Sequence, residues 1–280
     1  MKNKTVTPTQ VWLFVILTSL VFLILGSQIA SRVGLFIGLF VAVTFHTLVF
    51  IWGEGLILKR FKLQPMKGRD PWGLNEKRDQ WLAESKMGSV PGLWILDQEL
   101  PTAFSFEAPW KKPMIAFSSG LLKNFTKQEI EAVLAHQMCH LQTRQNLKST
   151  VSLMIANTLS RMCHHLDHLW IPSLVFEKKQ KPFLFLMSPL IYFLVELSQS
   201  QQNQISADLN AAHLVESREL LGQVLWKLEG WALTHPMDVP AATSQLFIVN
   251  PERIRQKNTL LQFHPPLQKR LEKLVGYFPI

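Results

Sequence analysis

Two long apolar runs open the chain, and each has the length of a membrane-spanning helix. Thr5–Ser31 contains no Asp, Glu, Lys or Arg and centres on Val11–Ala30, and Val33–Gly53 is a second run of this kind. A helix of about 20 apolar residues crosses the hydrocarbon core of a bilayer. A cleaved signal peptide explains the first run poorly, because the second run follows at once. The pattern predicts a transmembrane hairpin over residues 1–58, with spans at about 11–30 and 33–52.

The remainder, residues 59–280, shows shorter elements. Leu93–Leu96 and Met114–Phe117 have the composition of strands, and Ala211–Trp231 has apolar residues at helical spacing. Two weaker apolar segments, at about 149–170 and 182–198, fit a second membrane hairpin, an interfacial or re-entrant pair, or buried core helices. The sequence therefore predicts an α+β fold that is mostly helical, with a small sheet near residues 92–117.

Composition and charge agree with a membrane protein. The chain is 48% apolar, which excludes a disordered protein, and its two cysteines cannot form a disulfide framework. Its 29 Lys and Arg against 20 Asp and Glu give a net charge of +9. Cations lie before the first run and after the second, which predicts that both ends and the large domain face the cytoplasm. No base-stacking or groove-reading pattern accompanies the charge, so we expect a lipid bilayer as partner and no nucleic acid.

One predicted helix, Thr126–Asn146, carries residues with recognisable chemistry. It begins with a capping box formed by Thr126 and Glu129. His136 and His140 are four residues apart and share a face, so both imidazoles can reach one Zn²⁺. The spacing alone is more typical of two polar helix residues without a metal. Position 137 is Gln, whereas the H-E-x-x-H motif of zinc peptidases has a Glu that accepts a proton from the zinc-bound water.

The segment EIEAVLAHQMCHLQTRQN resembles the active-site helix of the HtpX-type membrane metallopeptidases, relatives of the CAAX prenyl endopeptidases, which reads E-x-E-A-V-L-A-H-E-x-G-H-x-x-x-x-D. Further segments resemble landmarks of that family in the same order, including its P-N-A-F-A-x-G segment: Val90–Phe106, Met114–Leu122, Ser200–Asp208, Phe247–Pro251 and His264–Leu271. The resemblance implies a zincin-like (minimal gluzincin) metallopeptidase domain over residues 59–280. It also implies a multi-pass protein of the bacterial inner (cytoplasmic) membrane.

The resemblance assigns roles to individual positions. It makes His136 and His140 zinc ligands and places Gln204 at the third-ligand position, where the family has Glu. Gln137 occupies the general-base position, so both carboxylates of the catalytic centre are amides here. An amide oxygen is a weaker zinc donor than a carboxylate, and a site with two histidines alone is incomplete.

Other site residues of the family are retained. The resemblance implies that Asp208 orients a ligating histidine and that His264 and Arg270 lie near the cleft, where an arginine can steady an oxyanion. Asp208 or Cys139 could substitute for the missing ligand, but neither supplies a general base.

We therefore expect zinc binding to be weak or absent and proteolysis to be lost or strongly impaired. The expected function is that of a pseudoprotease that binds polypeptides or modulates a partner membrane protease in membrane-protein quality control. A sheet edge over the cleft could bind an extended polypeptide by strand addition. Two alternatives stay open: an active zinc metalloendopeptidase with a rearranged site, and a structural membrane scaffold.

Overall fold

The structure is a computed structural model, and it describes most of the chain in ordered segments. The described residues are 8–66, 70–84, 89–107, 112–142, 155–156, 158–160, 162–165, 167, 181–198, 201–237, 246–251 and 265–276. The helices among them are α1 (Pro8–Arg60), α2 (Leu74–Glu84), α3 (Ser119–Asn124), α4 (Lys127–Gln142), α5 (Pro182–Ser198), α6 (Gln201–Leu214), α7 (Arg218–Thr234) and α8 (Leu267–Val275).

Four short strands form one mixed sheet. They are β1 (Gln64–Pro65), β2 (Gly92–Leu96), β3 (Ala103–Phe106) and β4 (Met114–Ser118), in the spatial order β1-β2-β4-β3. β2 and β4 run parallel, and the other two pairs are antiparallel. Both predicted strands, at 93–96 and 114–117, are confirmed, whereas the two-residue β1 has no sequence signal.

Local signals set the helix boundaries near the site. At the start of α4, the Thr126 backbone N–H donates to Glu129 Oε2 at 2.7 Å, and the Glu129 N–H donates to Thr126 Oγ1 at 3.3 Å, which confirms the capping box. The helix expected over Ala211–Trp231 is interrupted. Glu216 has a positive φ of 54°, and Ser217 caps a new helix by accepting the Leu220 N–H at 3.1 Å.

The long apolar helix α1 reverses direction near its middle. Ala30 and Ser31 have non-helical backbone angles, and the segments on either side pack against each other. The rings of Phe22 and Phe45 lie 5.5 Å apart, and Thr18 Oγ1 lies 2.9 Å from His46 Nε2. In the described part of the chain, α1 is the one helix long and apolar enough to cross a membrane.

The two segments of α1 approach so closely that glycine is required between them. A β-carbon at Gly34 would overlap the carbonyl oxygen of Gly26, and one at Gly38 would overlap that of Phe22. We expect Gly34→Val to lower the unfolding free energy in detergent by about 1–3 kcal/mol, because the clash involves rigid backbone. Gly230→Ala in α7 is the matched control, since its added β-carbon meets no described atom within 4 Å. Equal stability of the two variants would contradict this packing.

Two apolar cores lie on opposite faces of the sheet. One core joins a sheet face to α4, α6 and α7 through buried side chains such as Ile115, Val133 and Leu225. The other joins the opposite face to α1, where Phe104 and Phe106 of β3 pack in one cluster with Phe45. The sheet therefore connects the apolar N-terminal helix directly to the helices that carry the site.

Candidate active site

Helix α4 carries both predicted zinc-ligand histidines into the protein interior. It packs between β3 and α6, and the Thr126–Glu129 capping box fixes where it begins. His136 and Gln137 are fully buried, and His140 is 8% exposed. The i, i+4 spacing brings the two imidazoles together, with His136 Nε2 and His140 Nε2 only 3.1 Å apart.

A chain of buried polar contacts connects this histidine pair to the last helix. His136 Nδ1 lies 3.0 Å from Asp208 Oδ1 in α6. Arg270 of α8 donates from Nε to Asp208 Oδ2 and from Nη2 to Asp208 Oδ1, both at 2.8 Å. This two-point geometry is the strong form of an arginine–carboxylate pair. The third arginine nitrogen, Nη1, donates to the carbonyl of Ile248 at 2.7 Å.

These contacts determine the charges of the buried groups. Burial alone would raise the pKa of Asp208, but the charge and hydrogen bonds of Arg270, with a smaller contribution from His136, hold that pKa well below its usual range. Burial lowers the pKa of His136 below its usual value; Asp208 opposes this shift and Arg270 adds to it. At neutral pH the site therefore contains a carboxylate, a guanidinium and a neutral imidazole.

The proton positions follow from the same geometry. An unprotonated Nδ1 of His136 would repel the Asp208 carboxylate 3.0 Å away, which favours the tautomer with the proton on Nδ1 and the lone pair on Nε2. In that tautomer, the lone pair on His136 Nε2 faces His140 Nε2 at 3.1 Å.

The pH dependence of stability follows from the lowered pKa values. When a group has a lower pKa in the folded protein than in the unfolded chain, it stabilises the fold at pH values above the pKa of the unfolded chain. This stabilisation is lost as the pH falls towards the pKa of the folded protein. We expect the unfolding free energy to decrease between pH 7 and pH 5, as unfolded His136 takes up a proton, by at most about 1.4 kcal/mol per pH unit. Asp208 adds its loss only below about pH 4. Chemical denaturation at several pH values measures the unfolding free energy. His136→Asn should flatten the slope of this free energy against pH between pH 7 and 5. An unchanged slope in the variant would contradict a buried neutral imidazole at His136.

Gln137 is held in place by two hydrogen bonds to β3. Its Oε1 accepts the hydroxyl of Ser105 at 2.6 Å, and its Nε2 donates to the carbonyl of Ala103 at 3.3 Å. Both side chains are almost fully buried. The amide thus connects α4 to the sheet, and it cannot accept a proton near neutral pH.

The outer edge of β3 is covered by the chain itself. Phe247 pairs with Phe104 in an antiparallel bridge, and the Ile248 N–H donates to the Ala103 carbonyl at 3.0 Å. Arg270 holds the covering segment through the Ile248 carbonyl. At Ala103 this edge has no free carbonyl for an added strand, so the expected strand addition does not fit this position.

A catalytic zinc ion needs three protein donors and a carboxylate that orients a ligating histidine. The two converging imidazoles fit, and so does the Asp208 carboxylate behind His136. The residue that the family resemblance predicts as third ligand, Gln204, does not fit, because it brings a neutral amide, buried in α6. Within the described residues, no three side chains among His, Cys, Asp and Glu form a metal-binding group. Burial, and then Asp208, raises the pKa of Cys139 to about 12, which keeps it a thiol and disfavours it as a ligand.

The structure brings most of the predicted site residues together. His136, His140, Asp208 and Arg270 form one connected cluster, and Gln137 lies beside it. His264 lies outside the described residues. Sequence reasoning missed Ser105, which stands where the P-N-A-F-A-x-G pattern has its second Ala. This change from Ala to Ser was the available signal, because a hydroxyl at a buried strand position needs a polar partner.

Known proteins resemble this chain over most of its length. Residues 80–277 match the model for peptidase family M48. "Protease HtpX homolog" of Desulfatibacillum aliphaticivorans is 25% identical over 272 residues, which cover 92% of this chain and 85% of that protein. "Protease HtpX" of Legionella pneumophila (strain Corby) is 25% identical over 280 residues, with coverages of 93% and 96%. The crystal structure of S. mikatae Ste24p has a similar fold, with a TM-score of 0.52 and 16% identity over 95% of this chain and 67% of that one.

Proposed function

The chain belongs to peptidase family M48 as an HtpX-type member, and we propose that its own proteolytic activity is absent or strongly impaired. One observation carries the proposal. The residue at the general-base position, Gln137, is an amide whose oxygen and nitrogen are both engaged with β3. A general acid–base group contributes about 10²–10⁴ to the rate. Among the described residues, Asp208 is the one carboxylate that contacts the histidine pair, and its charge is already neutralised by Arg270.

The proposed location is the bacterial inner membrane, with several crossings. The reversal of α1 at Ala30 and Ser31 and the glycine contacts between its halves support two spans within residues 1–58. Cations before the first run and after the second support a zincin-like domain, residues 59–280, on the cytoplasmic side. The number of spans beyond these two depends on α5 and on the segment near 149–170, which the structure describes only in part.

The proposed role is to hold polypeptides, or to modulate a partner membrane protease, in membrane-protein quality control. Binding without cleavage requires an intact fold, and the buried Arg270–Asp208–His136 contacts supply one. It also requires a docking surface outside the cleft, because the β3 edge is covered at Ala103.

An active zinc endopeptidase with a rearranged site is the second candidate. It is favoured by the 3.1 Å separation of the two Nε2 atoms and by the Asp208 contact to His136. It requires that His136→Ala abolish peptide cleavage. A purely structural scaffold instead requires that His136, Asp208 and Arg270 can each be replaced without loss of biological function.

Zinc content distinguishes a complete metal site from the incomplete one. We expect the full-length protein, purified without chelators and dialysed against a metal-free buffer, to contain far less than one zinc per chain, because its donors are two imidazoles and an amide. Mass spectrometry of the metal measures this. His136→Ala, which removes a donor, is the control and should change the zinc content little. Close to one zinc per chain, lost in His136→Ala, would contradict the incomplete site.

A further inference from the structure

A solvent-open groove of about 720 Å³ runs along α7 at the beginning of α8, away from the histidine pair. Its lining includes Trp226, Glu229, Gly230, Trp231, Leu233 and Leu267. Trp226 and Leu233 are 58% and 54% exposed. A concave, mostly apolar groove with a polar group inside it is typical of a ligand-binding site.

Gly230 keeps the groove open. Glycine within a helix is less stable than alanine, so its presence needs a reason. Gly222, in the same helix, has one, because a β-carbon there would come within 3.3 Å of Val275 Cγ1. A β-carbon at Gly230 would meet no described atom within 4 Å. Packing among the described residues does not require Gly230, and the missing side chain leaves space between Trp226 and Leu233 on the same helix face.

Glu229 is the one carboxylate among the residues that line the groove. Burial raises the pKa of Glu229 and Arg270 opposes the shift, yet no described residue donates a hydrogen bond to its carboxylate. Lys227, two residues before it, and Arg270, whose charge acts on its pKa, are engaged elsewhere. Lys227 Nζ lies 3.1 Å from Glu129 Oε2, and Arg270 pairs with Asp208. The groove lining is mostly apolar and contains one carboxylate, Glu229. Its basic lining residues are Lys227, whose ammonium pairs with Glu129, and His235.

We propose that this groove binds a polypeptide segment that carries a lysine or arginine beside apolar residues. The cation pairs with Glu229 and lies against the indole rings of Trp226 and Trp231, and an apolar neighbour fills the space at Gly230. Segments of this composition flank transmembrane helices on the cytoplasmic side, where the proposed topology places the domain. The inference rests on the proposed function and names its polypeptide ligand class.

The test uses the full-length protein in detergent and three labelled peptides. Each peptide is twelve residues of Leu, Ala and Ser and differs only at the central position, which is Lys, Gln or Glu. Fluorescence anisotropy measures affinity, and mass spectrometry of the same samples detects cleavage. The variants are Glu229→Gln, which removes the charge and keeps the shape, and Gly230→Leu, which fills the groove. Glu219→Gln, an exposed carboxylate of the same helix outside the groove, is the matched control.

We expect the Lys peptide to bind about tenfold more tightly than the Gln peptide, since a charge-assisted hydrogen bond is at stake. Glu229→Gln should remove that difference, Gly230→Leu should weaken binding of both the Lys and the Gln peptide, and Glu219→Gln should change the affinity of neither. Equal affinity for the three peptides, or no effect of Glu229→Gln, overturns the proposal. Cleavage of a bound peptide would instead overturn the proposed loss of proteolysis and leave the groove assignment intact.

Discussion

Replacing Arg270 with alanine is expected to lower the unfolding free energy by about 3–5 kcal/mol, because it leaves the Asp208 carboxylate buried without its counter-charge. The guanidinium makes two 2.8 Å hydrogen bonds to Asp208 and one of 2.7 Å to the Ile248 carbonyl, all in the interior. Arg270→Ala also releases the segment that covers β3. Arg270→Lys should recover only part of the loss, because a single ammonium cannot make the two-point contact.

Chemical denaturation of the full-length protein in detergent, followed by tryptophan fluorescence, measures this loss. Lys273→Ala is the matched control, since it removes an exposed cation of the same helix and should change stability by less than about 0.5 kcal/mol. Adding Asp208→Asn to Arg270→Ala should return part of the lost stability, because the unpaired charge is removed. If Arg270→Ala and Lys273→Ala cost the same, the Arg270–Asp208 pair does not hold the site together.

Restoring the family's carboxylates is expected to recover activity only when β3 is changed as well. Gln137→Glu alone places an oxygen against the Ala103 carbonyl, where Gln137 Nε2 now donates at 3.3 Å. We expect a stability loss of about 1–3 kcal/mol and no cleavage. Gln137→Glu with Gln204→Glu should restore zinc binding. Adding Ser105→Ala, which removes the 2.6 Å hydrogen bond to position 137, should raise chelator-sensitive cleavage at least about 10²-fold over the parent protein.

The series is read by zinc content, thermal stability and cleavage of an unstructured fluorogenic peptide in the same preparations. The control is the triple variant with His136→Ala, which lacks a ligand and should be inactive. Recovery in the triple variant but not in the double variant shows that Ser105 keeps position 137 engaged. Recovery in the double variant alone would show that Ser105 plays no such part. No recovery of zinc binding in either would show that the cleft has diverged beyond these positions.

Much of the fold was predictable because its signals are local. The strands at 93–96 and 114–117 and the capping box at Thr126 each depend on a few neighbouring residues, and all are confirmed. The interruption after Leu214 was missed, because the apolar spacing continues across it. Only the cap at Ser217 and the positive φ of Glu216 reveal the break.

The residue types of the site were predicted, and so was a contact between Asp208 and a histidine, whereas the contacts with β3 and with the segment at Ile248 were missed. Spacing alone places His136 and His140 on one face of a helix, and the family resemblance supplies Asp208 and Arg270. The contact of Ser105 with Gln137 joins residues 32 positions apart, and the Ile248 N–H joins a distant segment to the Ala103 carbonyl. Such contacts depend on which helix crosses which strand, and hydrophobic periodicity does not determine that crossing.

The residues that hold the site together differ from the residues on which its chemistry depends. The framework consists of His136, Asp208 and Arg270, whose charges are satisfied without a metal or a substrate. On our proposal, the chemistry depends on positions 137 and 204, where the family resemblance predicts a base and a charged ligand and this chain has amides. A protein of this kind keeps the fold of a peptidase and, on our proposal, uses it to bind.

The most direct test of this account is peptide cleavage by the purified full-length protein supplied with zinc. A quenched fluorescent peptide library is incubated with the parent protein, with His136→Ala, and with the parent protein plus a zinc chelator, in detergent and in lipid nanodiscs. Our account predicts the same background signal in all three samples. Cleavage that is abolished both by the chelator and by His136→Ala would contradict it and would establish an active zinc endopeptidase.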